Sequence, residues 1–278
     1  MRRPVVRLIG PPKADGEYVA LSDAGSDEEI VHLHDYERVY RVPGLYEQIV
    51  QGLLACRSPQ VAADALTDAL TALGRAPSEV VLLDLGAGTG TGRVGELARG
   101  IGIPSIIGLD TIDAARAACL RDRPGVYRAY FVGDLAAAAP ELLAMLERHG
   151  PNALISAGAL GGTHASSAAL VNALGLLATG GPVVLTIDER WTRAGASGGF
   201  RTLLARLLGS GQLRLLRRSR FQHRLSTSGT PVQYELIVAV TGSPRDFDGQ
   251  ADGAHATTRY SALPVSRRES TLTIADAR

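Results

Sequence analysis

The stretch Leu82–Gly92, LLDLGAGTGTG, follows Val80 and Val81 and places glycine at Gly86, Gly88, Gly90 and Gly92. An apolar run ending in Asp84 and then alternating glycine with small residues reads as a strand that empties into a closely approached turn. Further apolar runs follow at Ser105 to Leu109, Tyr130 to Val132, Ala153 to Ser156 and Val183 to Ile187, each bounded by Gly, Pro, Asp or Asn. Helices are predicted between them over Gly92 to Arg99, Asp113 to Asp122, Pro140 to His149 and Ala165 to Leu177. Repeated strand–helix units with continuous apolar strands imply a parallel sheet covered on both faces. After a further helix at Gly199 to Leu208, LRLLRRSRFQHRL and VQYELIVAV flank a polar turn and read as an antiparallel hairpin. The expected fold class is therefore α/β: a doubly wound, mostly parallel seven-stranded sheet that ends in an antiparallel hairpin.

In such a sheet ligands bind beyond the carboxyl ends of the strands, and the first strand leads there. The glycine spacing excludes two common occupants. G-x-G-x-x-G fails in both registers, because the third glycine would fall on Thr91 or on Arg93, and no Gly-Lys-Ser/Thr is present for a phosphate loop.

Composition narrows the partners. Lys and Arg total 29 against 28 acidic residues, a net charge of +1, whereas nucleic-acid binders carry a marked basic excess. Cys56 and Cys119 stand far apart with no CxxC or Cys/His cluster, so neither a disulfide framework nor a structural zinc site is expected, and the usage suits a cytoplasmic protein. The opening MRRPVVRLIGPP is cut by Arg7 and ended by Pro11 and Pro12, so no secretory segment is expected, and no uncharged apolar run is long enough for a membrane span.

Before the sheet, residues 1–29 read as a loosely ordered arm with room for a short strand at Val5 to Ile9. IVHLHDYERVYRVPGLYEQIVQGLL reads as two short helices broken at Pro43–Gly44, and Gln60 to Leu73 as a helix with Ser58 as N-cap and Pro59 in its first turn. The expected units are thus 1–29, a helical segment at 30–78, the sheet domain at 79–240 and a flexible tail at 241–278 with a small strand near Ser270 to Ile274.

Asp84, Gly86, Gly88 and Gly90 resemble the first motif of class I S-adenosylmethionine-dependent methyltransferases of bacterial type, in which an acidic residue ends the strand and G-x-G-x-G wraps the cofactor. The resemblance covers roughly Glu79 to Val240. It implies that the glycines leave room for the methionine moiety and that Asp84 holds its ammonium, directly or through water. It also implies that Asp110, twenty residues beyond Gly90, accepts the ribose hydroxyls. Gly133, Asp134 and Leu135 would then recognise adenine, with Ala87, Thr111, Ser156 and Ala157 lining the same site. The fourth strand departs from the family in carrying Asn152 where an aspartate is usual, which is read as structural. S-adenosylmethionine is the implied cofactor, with S-adenosylhomocysteine as product and no metal; the carboxylates of Asp188 and Glu189 leave a metal-dependent mechanism open.

On the acceptor side, His164 is the first candidate base, although Thr163 could be a helix N-cap with His164 a solvated first-turn residue. An extra N-terminal segment commonly forms a lid in this fold, which makes His34 and Tyr46 further catalytic candidates beside His32, Tyr36 and Tyr40; the alternative is packed core. Trp191 could line the site or pin its loop. Arg214, Arg217, Arg218, Arg220 and Arg224 could contact RNA, but strand alternation splits them and a solvated edge strand is favoured. The acceptor implied is a small molecule or natural-product peptide methylated on oxygen, carboxylate or nitrogen, with nucleic acid disfavoured and the protein a monomer or homodimer. The alternatives are an RNA methyltransferase and a catalytically silent cofactor-binding partner.

Overall fold

The computed structural model describes residues 4–10, 16–22, 27–89, 93–162, 164–196 and 199–242. The tail beyond Gly242, with its expected strand near Ser270 to Ile274, lies outside them, as do Gly90 and Thr163.

The chain begins with three strands, β1 (Val5–Ile9), β2 (Tyr18–Ser22) and β3 (Glu29–His32), followed by helix α1 (Tyr36–Arg41), a wide helical turn at Glu47–Leu53 and helix α2 (Ser58–Ala72). Strands and helices then alternate: β4 (Val81–Leu85), α3 (Val94–Ile101), β5 (Ser105–Asp110), α4 (Asp113–Asp122), β6 (Ala129–Val132), α5 (Pro140–His149), β7 (Ala153–Leu160), α6 (Ser167–Gly175), β8 (Pro182–Asp188) and α7 (Phe200–Gly209). A long hairpin, β9 (Leu213–Leu225) and β10 (Pro231–Thr241), ends the domain.

The main sheet has seven strands in the order β6-β5-β4-β7-β8-β10-β9. β4 to β8 run parallel, and β10 enters antiparallel to both β8 and β9. Strand order reverses between β4 and β7, so the turns after these strands open into one crevice. Alternation along the strands feeds two apolar layers. Leu83, Leu85, Ile107, Leu109, Leu154 and Leu185 pack against α5, α6 and α7 on one face. Leu82, Ile106, Ile155, Leu236 and Val238 pack against α2 and α3 on the other. Burying each such side chain contributes roughly 1.5–3 kcal/mol. Asn152 staples β7 to β4, its Oδ1 accepting from Val81 N at 2.9 Å and its Nδ2 donating to Glu79 O at 2.9 Å.

Three local expectations are corrected. The described parts of residues 1–29 are not a loose arm: the strand expected at Val5 to Ile9 forms as β1, and β1 pairs with β2 and β2 with β3, all antiparallel, because Val19, Leu21 and Val31 bury their side chains with Val39, Leu45, Ile49 and Leu54. The covering segment is therefore a small sheet as well as helices, and it sits on Ala115 and Ala118 of α4. Ser58 does not cap α2; Arg57 holds the cap position, and the Ser58 hydroxyl lies 2.6 Å from His223 Nδ1. The helix expected from Ala165 starts at Ser167, with Ser166 Oγ accepting from Ala169 N at 3.3 Å.

The turn after β4 shows what its first glycine approaches. Gly86 has φ +75°, and a Cβ built on it would stand 2.2 Å from Ala159 Cβ at the end of β7. Protein packing thus demands glycine here whatever occupies the crevice. Gly86→Ala is expected to cost about 1–3 kcal/mol from steric conflict and left-handed backbone. Adding Ala159→Gly should restore only the steric part, which urea unfolding of the single and double variants would measure.

Candidate functional site

Beyond the carboxyl ends of β4, β5, β6 and β7 lies a cavity of about 380 Å³, floored by the sheet and covered by the N-terminal segment. Gly86, Ala87, Gly88, Asp110, Thr111, Gly133, Asp134, Leu135, Ala157, His34, Tyr46 and His164 all line it. Residues from distant parts of the chain therefore meet at one place.

Asp110 is its best-organised polar group. Its Oδ2 accepts from Gly88 N at 2.9 Å and its Oδ1 from Ile112 N at 3.0 Å. Burial pushes its pKa up, and the backbone N–H groups of Gly88, Ile112 and Thr111 oppose that shift. Each carboxylate oxygen has two lone-pair directions, so these bonds leave acceptor capacity. Gly88 (φ +58°) is fixed from two further sides: the Tyr130 hydroxyl donates to its carbonyl, and a Cβ on it would lie 3.2 Å from the Tyr40 hydroxyl. Across the cavity, Asp134 Oδ1 accepts from Ala136 N at 2.8 Å, and Leu135 O accepts from Asn172 Nδ2 at 2.6 Å, which anchors the Gly133–Leu135 turn to α6.

Two of the expected cofactor residues stand elsewhere. Asp84 does not line the cavity; its side chain is buried, and its Oδ2 accepts from the Tyr127 hydroxyl at 2.7 Å. Complete burial pushes the Asp84 carboxyl up to about 7, the Tyr127 bond lowers it and Asp110 adds to the rise. Strand alternation explains the placement, since Asp84 shares the face of Leu82 and not the crevice. Ser156 is likewise fully buried, donating to Leu85 O at 2.8 Å.

The roof is aromatic. Tyr36 stacks on Tyr40 with centroids 5.4 Å apart, Tyr46 meets Tyr40 edge-on at 5.4 Å, and His164 lies 5.6 Å from both Tyr36 and His34. The hydroxyls of Tyr36, Tyr40 and Tyr46 make no hydrogen bond among the described residues, and burial raises the pKa of all three. His32 stands farther out, edge-on to His34 at 5.3 Å.

Among the cavity residues not singled out from the sequence as site residues are His223, Tyr234, Cys56 and, within the arginine run, Arg224. His223 stacks on Tyr234 at 3.9 Å, and its Nδ1 is shared by Ser58 Oγ and, at 3.7 Å, Cys56 Sγ. Arg214, Arg217, Arg218 and Arg220 are exposed, as the edge-strand reading expects, with Arg217, Arg218 and Arg220 paired to Asp68, Glu235 and Glu189. Arg224 departs from that reading: it turns inward and pairs with Glu17. A reader of the alternating face would have placed it with Gln222, so the signal was absent; a bulge between Val232 and Gln233 shifts the register just there.

Trp191 both lines a neighbouring cavity and pins its loop, since a Cβ on Gly161 would stand 2.4 Å from Trp191 Cδ1. Asp188 is engaged by Arg190 at 2.7 Å and Glu189 by Arg220 at 3.0 Å. Among the described residues no group of three or more His, Cys, Asp or Glu could hold a metal, and no helix is long and apolar enough to cross a membrane.

No family model matches the chain, and no curated protein matches it. Among solved structures it is similar to the N-methyltransferase NodS from Bradyrhizobium japonicum WM9 bound to S-adenosyl-l-homocysteine, at 15% identity over 75% of this chain and 97% of that one, with TM-score 0.49. An S-adenosylmethionine-dependent methyltransferase from Anabaena variabilis aligns at 16% identity over 76% of this chain and 95% of that one, TM-score 0.46. A candidate RNA methyltransferase from Pyrococcus horikoshii aligns at 17% over 68% and 88%, also at 0.46. Likeness at this level concerns the fold and leaves function to the residues of the site.

The buried imidazoles set a pH dependence. Burial, aided by Arg224, pushes His223 down to about 3 and lowers His164; His34 falls to about 4, but it is exposed and solvent screens the effect. A folded-state pKa below the unfolded value gives stability that is present above the unfolded pKa and lost as pH falls. His223 should therefore account for about 2 kcal/mol of stability lost between pH 7 and pH 5, and His223→Gln should flatten the curve by that amount in denaturant titrations. Asp84 has the opposite sign, because its raised pKa withdraws stability as pH rises from the ordinary carboxylate range of 3.8 up through about 7, where the loss is complete. Asp84→Asn, which keeps an acceptor for Tyr127, is expected to be more stable than the parent at pH 8 and equally stable at pH 4.

Proposed function

We propose that the protein is an S-adenosylmethionine-dependent methyltransferase whose acceptor is a small molecule or a peptide, methylated on oxygen, carboxylate or nitrogen. The observation that carries this reading is Asp110, a carboxylate with spare acceptor capacity on the wall of an enclosed, partly apolar cavity at the switch point of the sheet. Two adjacent hydroxyl donors, as on a ribose, suit one such carboxylate.

The residues present fit the cofactor. Leu85, Leu109, Ile112 and Leu135 supply apolar surface for a purine, and Asp134 lies beside them to accept from an exocyclic amine. Tyr36, Tyr40 and Tyr46 offer aromatic faces to a sulfonium, an arrangement worth about 2 kcal/mol or more where water is excluded. Gly88, Ala157 and Gly158 let the backbone come close. When bound, the cofactor supplies an electrophilic methyl group activated by its sulfonium. The chain holds it with Asp110, shields it with the tyrosines and positions the acceptor, which is where much of the barrier reduction of an in-line displacement can come from.

Burial lowers the basicity of His164, so its neutral imidazole can accept a proton but suits acceptors that are already ionised or readily so; His34, open to solvent, is the second candidate. The acceptor is proposed to be small because the methyl-transfer region lies under a lid. Three of the four exposed arginines of β9 are moreover neutralised by carboxylates and offer little to an RNA backbone.

Calorimetric titration tests the reading. S-adenosylhomocysteine should bind the intact protein and bind on the order of tenfold to a hundredfold more weakly to Asp110→Asn, the loss expected for hydrogen bonds to a charged acceptor. Absence of binding by the folded parent would refute the reading. Asp84→Asn should change affinity far less.

A further inference from the structure

A second, more open cavity of about 1070 Å³ adjoins the first and is walled by Glu17, Leu160, Trp191 and Gln233, among others. His34, His164, Arg224 and Tyr234 line both cavities, so anything reaching the inner one from the outer one passes these four side chains. Arg224 is the permanently charged cation of this partition.

Arg224 is held firmly. Its side chain is 11% exposed; Nη1 donates to Glu17 Oε1 at 2.9 Å and to Leu225 O at 2.8 Å, and Nη2 donates to Glu17 Oε2. Glu17 Oε1 also accepts from Thr227 N at 3.0 Å, so the carboxylate is pinned to the β9–β10 turn. A guanidinium has five N–H bonds. Three are used, and Nε–H and one Nη2–H make no hydrogen bond among the described residues. Asp188 and Glu189 at the same cavity already have arginine partners, so the outer cavity presents no unpaired carboxylate among the described residues to a cationic ligand. Trp191, packed closely over Gly161, adds a flat apolar surface.

We propose that the outer cavity binds the methyl acceptor, and that this acceptor is a planar aryl compound with an anionic oxygen seated on the free N–H bonds of Arg224. The inference rests on the methyltransferase reading and names its substrate class. The chemistry balances without a base: the oxyanion supplies the electron pair of the new O–C bond, the S–C bond breaks with its pair on sulfur, and the opposite charges cancel with no proton to remove. Arg224 orients the oxygen, and Glu17 moderates the cation so that the uncharged product is released.

The test uses benzoate and 4-nitrophenolate against the neutral isosteres benzamide and 4-nitroaniline, followed by ligand-observed NMR at pH 8 with and without S-adenosylhomocysteine. At least one anion should bind the parent tenfold or more tighter than its isostere, and which one does so distinguishes a carboxylate from a phenolate acceptor. Arg224→Gln should abolish that preference. Glu17→Gln should enlarge it, since the guanidinium loses its internal counter-ion; if the pair merely latched the lid, this variant would weaken anion and isostere alike. No preference in the parent, an unchanged preference in Arg224→Gln, or parallel weakening in Glu17→Gln would each overturn the proposal. Should Arg224→Gln fail to fold, Glu17→Gln still decides. Titrating S-adenosylhomocysteine into the same samples separates the two readings: an Arg224-dependent anion preference without its binding supports the anion site and removes the cofactor assignment.

Discussion

Two backbone N–H groups donating to one carboxylate, Gly88 and Ile112 onto Asp110, join the turns that follow β4 and β5. Without that bridge the glycine turn would have its Gly88 N–H unpaired in a partly buried site, at a cost of about 1–3 kcal/mol. With it, the turn is held open beside the cavity instead of collapsing into it. The bridge also fixes the start of α4, and α4 carries the alanines on which the N-terminal sheet and helices rest. Floor and roof are thus referred to the same carboxylate.

The roof completes the site by covering the sheet edge with aromatic side chains. Its three strands and short helices bury an apolar cluster of their own against α4, and they are tied to the rest of the site by Tyr36, Tyr40 and Tyr46 below and by the Glu17–Arg224 pair at the edge. Burial in this aromatic enclosure has an electrostatic consequence: it lowers the pKa of His164 and His223 and raises that of Tyr36, so the neutral forms are favoured. The same enclosure strengthens any interaction between a cationic ligand and the tyrosine faces. Stability at acid pH is what this arrangement gives up.

The parts legible in the sequence were those governed by local pattern. Continuous apolar runs marked β4 to β8, and the helices α4 and α5 matched their expected bounds, because periodicity and flanking Pro, Gly and Asp act over a few residues. Asp110, Gly133 and Leu135 could be placed at the crevice since strand ends in a parallel sheet share one rim. What escaped depended on distant packing. The strand at Val5–Ile9 was legible, but the small N-terminal sheet it joins depends on packing against residues well along the chain, Val39, Leu45, Ile49 and Leu54 and the alanines of α4, which no local pattern announces. Asp84 was read as a ligand of the crevice, yet strand alternation turns it towards Tyr127, a partner forty-three residues away. Ser58 looked like a cap but is claimed by His223, and Arg224 looked like a surface residue until a register shift turned it inward.

The central claim is that one cavity, between the Asp110 bridge and the tyrosine roof, holds the adenosine and the sulfur of the cofactor. A crystal structure of the protein grown with S-adenosylhomocysteine tests it most directly. The account predicts ribose hydroxyls on the Asp110 carboxylate, the purine between Ile112 and Leu135, and the sulfur beneath Tyr36 and Tyr46. S-adenosylhomocysteine bound outside this cavity, or with its ribose turned away from Asp110, would contradict it.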